Sequence, residues 1–185
     1  MEDYRININY AKALFLVATD TQQLDAVAAD MRTVNRVFSE NHLLNTVFGN
    51  PVIREDKKVG VLRDLFEDRV SKVSMLFLTF VVKKRRAVNM KGISNAFIDL
   101  YRKEKNIVLS HLVTATEIDD ELRDAVCKTV GGYTHSDVEL QSKVDPSILG
   151  GFSVTFDNNM YDARISSAVA KLRKEFSKNV YESKL

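Results

Sequence analysis

The stretch Leu100-Tyr101-Arg102-Lys103-Glu104-Lys105-Asn106-Ile107-Val108-Leu109-Ser110-His111-Leu112-Val113 is where the chain changes its period. Before Asn106, apolar residues return every three or four positions, the spacing of helices that bury one face. After it, Ile107, Val108, Leu109, Leu112 and Val113 form a run rich in β-formers, which suits a strand. The change predicts a mainly α chain with an α+β tail. A six-helix bundle is expected over residues 1–105 and a small αβ domain over residues 106–185.

Upstream of the switch, Tyr10, Leu14 and Val17 fall on one helix face, with Ala11, Phe15 and Ala18 on an adjacent stripe. Thr21 is placed to cap a second helix carrying Leu24, Val27, Met31, Val34 and Phe38. Ser39 is placed to cap a short third helix over Leu43, Leu44 and Val47, ending at Gly49. Asn50-Pro51 breaks the pattern, because the residue before a proline avoids the helical region. A fourth helix covers Val59, Leu62, Leu65 and Phe66. Ser71 opens a fifth, with Val73, Leu76, Phe77, Phe80 and Val81 on one side and Met75, Leu78 and Val82 on others. A helix so apolar all round is expected in the middle of the bundle. The sixth runs from about Asn89 to Lys105 with Ile93, Phe97, Leu100 and Tyr101 inward.

Downstream, Asp119 starts a helix over Leu122, Val126 and Val130, with acidic residues at its positive end. Gly131-Gly132 is expected to end it. Val138, Leu140 and Val144 read as a strand, Asp145-Pro146 as a turn, and Phe152, Val154 and Phe156 as a second alternating strand. Asp157-Asn158-Asn159 is a turn signal, and a last helix carries Ile165, Val169, Leu172 and Phe176.

Composition narrows the function. The 185 residues are 45% hydrophobic and 28% charged, as in soluble globular proteins. A net charge of +2 is small for a nucleic-acid binder. It is unevenly spread: residues 1–105 hold 18 Lys and Arg against 13 Asp and Glu, and residues 106–185 hold 9 against 12. Such asymmetry suits two parts with different partners. Cys127 is the only cysteine, so no intrachain disulfide forms and a reducing compartment is expected. The start, MEDYRININYAK, lacks the apolar core of a secretory signal. The apolar stretch Met75 to Val82 falls far short of the ~20 residues of a membrane span, so any membrane attachment is expected through other proteins.

Catalytic motifs are absent. His42, His111 and His135 are scattered, with no metal-ligand spacing. Gly150-Gly151 has no Lys-Ser/Thr after it and reads as backbone crowding at a strand start. Asp145 and Asp162 read as turn formers rather than paired acids. Cys127 sits on an expected helix face, which favours a structural thiol over a nucleophile. The run Lys83-Lys84-Arg85-Arg86 reads as solvated cations at a helix C-terminus; the alternative is a basic nucleic-acid-binding patch. Small residues Ala11, Ala13 and Ala18 let a partner helix approach closely, which suits a helix-in-groove contact.

Three stretches resemble a known family. Tyr10-Ala11-Lys12-Ala13-Leu14-Phe15 is similar to the opening YAxALF of ATP synthase delta subunits, called the oligomycin-sensitivity-conferring protein in mitochondria. Val144-Asp145-Pro146-Ser147-Ile148-Leu149-Gly150-Gly151-Phe152 resembles the family's VDPSLIGG. Asp162-Ala163-Arg164-Ile165 stands where the family usually has DGSVR, with Ala163 in place of Gly. The resemblance covers essentially the whole chain. It implies a non-catalytic stator subunit of the rotary proton-translocating ATP synthase, with no cofactor and no catalytic or metal site. It implies that the N-terminal part holds the N-terminus of the alpha subunit on the alpha/beta catalytic head, in a groove between the first and fifth helices. Carried over, that groove is Tyr10, Ala13, Leu14 and Val17 with Leu76, Phe80 and Lys83. The C-terminal part is implied to bind the C-terminus of the b subunit, the peripheral stalk. Val144, Asp145, Pro146, Gly150, Gly151 and Asp162 are implied to shape that domain. The implied location is the cytoplasmic face of the cell membrane, as a peripheral protein attached through the complex.

Overall fold

A computed structural model describes residues 2–148, 150–157 and 159–177, with side chains from residue 4 onward. The chain is mainly helical with one four-stranded mixed sheet among the described residues. It divides into two compact units, Met1–Lys105 and Asn106–Leu185.

The described residues of the first unit form six α-helices: α1 (Glu2–Asp20), α2 (Leu24–Glu40), α3 (His42–Gly49), α4 (Glu55–Phe66), α5 (Lys72–Lys83) and α6 (Met90–Glu104), with a 3-10 turn at Ala87–Asn89. Their core is apolar and aromatic. Phe38 stacks on Phe66 with centroids 6.4 Å apart and meets Phe48 edge-on at 5.4 Å. Phe15 of α1 touches Phe97 of α6. Such ring pairs add to plain area burial.

Two buried charged side chains inside the unit are paired. Asp30 of α2 is buried, and its Oδ2 accepts from the Ser71 backbone N–H at 2.9 Å and the Ser74 hydroxyl at 2.7 Å. A carboxylate is thereby set at the positive end of α5. Ser71 also caps α5 as the sequence predicts, accepting from Ser74 N–H. Lys58 of α4 is buried, and its ammonium donates to the carbonyls of Phe48 and Asn50 at 2.8 Å each. Those are orphan acceptors at the negative end of α3.

Three expectations about helix ends need correction. Thr21 does not cap α2, whose N-cap is Gln23. Its hydroxyl donates back to the Val17 carbonyl at 2.8 Å, finishing α1. Ser39 lies inside α2, and Asn41 precedes α3 with no side-chain cap. Hydroxyls that bond within their own helix are a local alternative to capping the next one. Nor does Gly131-Gly132 end the seventh helix.

The second unit holds β1 (Ile107–Thr114), α7 (Asp120–Thr134), β2 (Asp137–Val144), β3 (Phe152–Phe156), β4 (Asn159–Asp162) and α8 (Ile165–Ser177). The strand order is β2-β1-β3-β4. β1 and β2 are parallel, as the crossover through α7 requires. β1 pairs antiparallel with β3, Leu112 opposite Val154, and β3 antiparallel with β4, Val154 opposite Tyr161. The helix α7 continues to Thr134, where His135 takes the left-handed conformation, φ 53°, and its N–H bonds the Gly131 carbonyl. The sequence reading lacks β4. Of its turn signal, Asn158 lies outside the described residues, as does Leu149 of the VDPS stretch. Leu112, Val126, Val130 and Val154 form the buried core, where α7 covers one face of the sheet.

Candidate functional site

Two exposed apolar surfaces stand out, one on each unit. On the first unit, α1 and α5 meet through Tyr10 and Phe80, whose ring centroids lie 6.2 Å apart. The residues that turn inward on α1 are Ala11, Leu14 and Ala18; those on α5 are Ser74, Leu78, Val81 and Val82. Other apolar side chains are left outside. Val17 and Phe80 are each 48% exposed and Leu76 72% exposed, with Ala13 and Lys83 also at the surface. Lys84 sits over the Phe80 ring with its ammonium 5.5 Å from the centroid.

This arrangement corrects the expectation that α5 lies mid-bundle. Its apolar residues point in every direction because part of the helix faces the core and part faces solvent. It also sorts the seven residues carried over for the groove. Tyr10 is half-buried, Ala13, Val17, Leu76, Phe80 and Lys83 are at the surface, and Leu14 is 1% exposed. Leu14 belongs to the core and lies beneath the exposed face. Leu16 is exposed on α1 as well, and the sequence reading leaves it out. Its placement between the two inward-turning residues Leu14 and Ala18 was the available signal.

The basic run is partly engaged. Arg85, at φ 60°, pairs with Glu55 at 2.7 Å, and Lys84 lies on the Phe80 ring. His42, His111 and His135 are exposed and far apart in sequence, and Cys127 is half-buried on α7. No group of three His, Cys, Asp or Glu that could hold a metal occurs among the described residues. No helix among them is long and apolar enough to cross a membrane.

On the second unit, α7 and the β3–β4 half of the sheet leave an apolar groove of about 600 Å³ between Leu122, Ala125 and Tyr133 on one wall and Phe156, Met160 and Tyr161 on the other. The VDPS and Asp162 stretches lie beside one another at the exit to α8. Val144 ends β2 and is partly exposed. Asp145 Oδ1 accepts the Ser147 N–H at 3.0 Å, which closes the turn that Pro146 begins. Hydrogen bonding from the Ser147 side chain, and then from its backbone N–H, is the main reason the Asp145 carboxyl titrates below the usual range. The Gly150 carbonyl accepts the Ile165 N–H at 3.0 Å. Gly151 has φ 78°, and a Cβ there would collide with the Ala163 carbonyl oxygen. Only glycine fits both demands. Asp162 accepts from Arg164 Nε at 2.8 Å, Arg164 Nη2 at 2.7 Å, the Arg164 N–H at 3.0 Å and the Ser167 hydroxyl at 2.8 Å. The Arg164 guanidinium, first among these, holds the Asp162 carboxyl far below its usual range. These residues fix the start of α8 through their hydrogen bonds.

Comparison with known proteins agrees in both sequence and fold. The chain is 33% identical to the ATP synthase subunit delta of Cytophaga hutchinsonii over 180 residues, covering 97% of this chain and 98% of that one. It is 30% identical to the same subunit of Lachnoclostridium phytofermentans over 181 residues, 97% of each. A chain in the cryo-EM structure of the Toxoplasma gondii mitochondrial ATP synthase hexamer shares its fold, with a TM-score of 0.71 at 20% identity over 94% of this chain and 98% of that one. The model of the ATP synthase delta (OSCP) subunit matches residues 6–176, nearly all of the sequence, and on that extent the chain belongs to the ATP synthase delta (OSCP) subunit family.

Proposed function

We propose that the chain is the stator adaptor of a rotary ATP synthase, with a six-helix bundle at residues 1–105 docking on the catalytic head and the αβ unit at residues 106–185 docking on the peripheral stalk. The chain is a structural subunit of the complex, not a catalytic one, and it associates with other ATP synthase subunits and reaches the membrane through them. The observation that carries the docking assignment is the exposed apolar face of α1 and α5 around the Tyr10–Phe80 contact. An amphipathic helix from the alpha-subunit N-terminus would cover Val17, Leu76 and Phe80, with Ala13 permitting close approach. The C-terminus of the b subunit would take the exposed apolar surface of the second unit. The site of action proposed is the cytoplasmic face of the cell membrane.

The mechanical logic is that proton flow turns a rotor, and the head must not follow it. Tight, non-reacting contacts at two places meet that need, and apolar helix docking supplies them without chemistry. The basic-patch nucleic-acid reading has no support from the family. The test is titration of the labelled full chain with a synthetic alpha-subunit N-terminal peptide. Amide shifts should cluster around Val17, Leu76 and Phe80. A map confined to other helices would remove the assignment.

A further inference from the structure

The helix α5 is set against its own hydropathy. At about 100° per residue, Lys72, Thr79 and Lys83 fall on one line along the helix, and apolar side chains fill most of the remaining circumference. Hydropathy alone turns such a helix so that the polar line points straight out and Phe77 points toward the core. The observed setting is rotated from that one by about 50°. Ser74, Leu78, Val81 and Val82 are buried, while Leu76 and Phe80 stand in solvent.

A polar contact at the N-terminal end of α5 opposes the turn. Ser74 is fully buried, between Val81 and Leu78 around the axis, and Asp30 of α2 is buried against it. Asp30 Oδ2 accepts the Ser74 hydroxyl at 2.7 Å and the Ser71 backbone N–H at 2.9 Å. The first bond fixes the rotation of α5, and the second fixes its position along the axis. Turning the helix by about 50° carries a Cα at a radius of about 2.3 Å through about 2 Å, and a side chain further. The Ser74 hydrogen bond does not survive that movement, and a buried carboxylate short of a donor is strongly unfavourable. Apolar burial is non-directional, so it selects weakly between the two settings. One buried polar residue in an apolar helix seam specifies register in coiled coils by the same logic.

We propose that Asp30 is a positioning residue for the docking face: through Ser74 and Ser71 it holds α5 at the rotation that keeps Leu76 and Phe80 outward. The inference rests on the reading of α1 and α5 as that face. Without the contact, α5 turns toward the setting that hydropathy favours, which draws Phe80 partly inward and brings Val82 out.

Two measurements on the full chain test this. The first needs no partner. With Cys127 replaced by Ser, Val82→Cys places one thiol on the buried side of α5. Asp30→Leu with Ser74→Ala replaces both ends of the contact by apolar groups, which removes the penalty on turning without leaving a buried polar group unpaired. In that background the Val82→Cys thiol should label about tenfold faster or more, as local protection is lost. The second measurement is titration with the synthetic alpha-subunit N-terminal peptide, whose affinity for the chain carrying Asp30→Leu and Ser74→Ala should fall about tenfold or more. Asp30→Asn keeps an acceptor for both donors and should hold both readouts near wild type, which separates positioning from general loss of packing. Ser74→Ala alone should move both readouts in the same direction, and it carries the test if the double variant does not fold. A thiol equally protected in the double variant and in Ser74→Ala, an unchanged peptide affinity, or an Asp30→Asn chain that behaves like the double variant overturns the proposal. A wild-type chain that fails to bind the peptide counts instead against the docking reading, and labelling still decides whether Asp30 sets the rotation of α5.

Discussion

At the scale of single residues, Asp162 is the clearest case of a side chain whose role is set by its neighbours. Its carboxylate receives four hydrogen bonds, three of them from Arg164. The guanidinium and these donors favour the charged form, so the carboxyl is depressed well below its ordinary value of 3.8. A depressed folded value gives stability that is fully present above the unfolded value and is lost as pH falls below it. Asp162→Asn keeps an acceptor for the Arg164 N–H but removes the charge. Urea midpoints should therefore show the variant less stable than wild type from about pH 7 to 5, with the gap closing between about pH 4 and 2. A gap that stays constant down to the acid end would mean the charge is not what Asp162 contributes. The sequence marked Asp162 and Gly151 through their resemblance to a family pattern. It held no sign of the reason, since the collision a Gly151 side chain would make is with Ala163, twelve residues on. Lys58 is the opposite case. Nothing in the local sequence sets it apart from Lys57, yet it alone is buried on the α3 carbonyls.

At the scale of elements, the helical period located α1 to α6 and the change at Asn106, because each helix repeats its apolar spacing over several turns. Helix ends were read less well. Thr21 and Ser39 are good capping types by residue, but which backbone group a hydroxyl bonds depends on where the chain turns. The strand β4 escaped notice for a related reason: Asn159-Met160-Tyr161-Asp162 is four residues of mixed character whose pairing to β3 is decided across the turn. The helix α5 was located, but its surroundings were misjudged. Periodicity gives the direction of an apolar face only when the opposite face is polar, and in α5 it is not. Exposure resolves the ambiguity, and it separates binding from folding. Leu76 is 72% exposed, so Leu76→Ser should change unfolding free energy by no more than about 0.5 kcal/mol, the usual range for surface sites. If α1 and α5 form the docking face, the same substitution should weaken binding of the alpha-subunit peptide about tenfold or more, as loss of an apolar anchor does. Isothermal titration alongside urea unfolding reads both quantities. Equal binding by the two proteins would shift the docking face away from Leu76.

At the scale of the whole molecule, the division at Lys105 and Asn106 separates two units, and the described residues of each form a hydrophobic cluster of their own. Changes in one unit should then leave the other unit's binding intact, because sites that share no partners usually behave additively. Ala13→Trp places a bulky ring on the exposed part of α1, beside Val17 and within reach of the Tyr10–Phe80 contact, where it obstructs a docking helix without entering the core. A tagged full-length Ala13→Trp chain should therefore lose alpha and beta subunits in co-purification while still bringing down the b subunit. Loss of all three would mean that the two contacts are coupled, contrary to independent units. Retention of all three would mean that the head is held elsewhere. The selective outcome is the one a stator demands: a molecule that resists torque must hold each partner by its own surface, since a single shared site would release both when either was pulled.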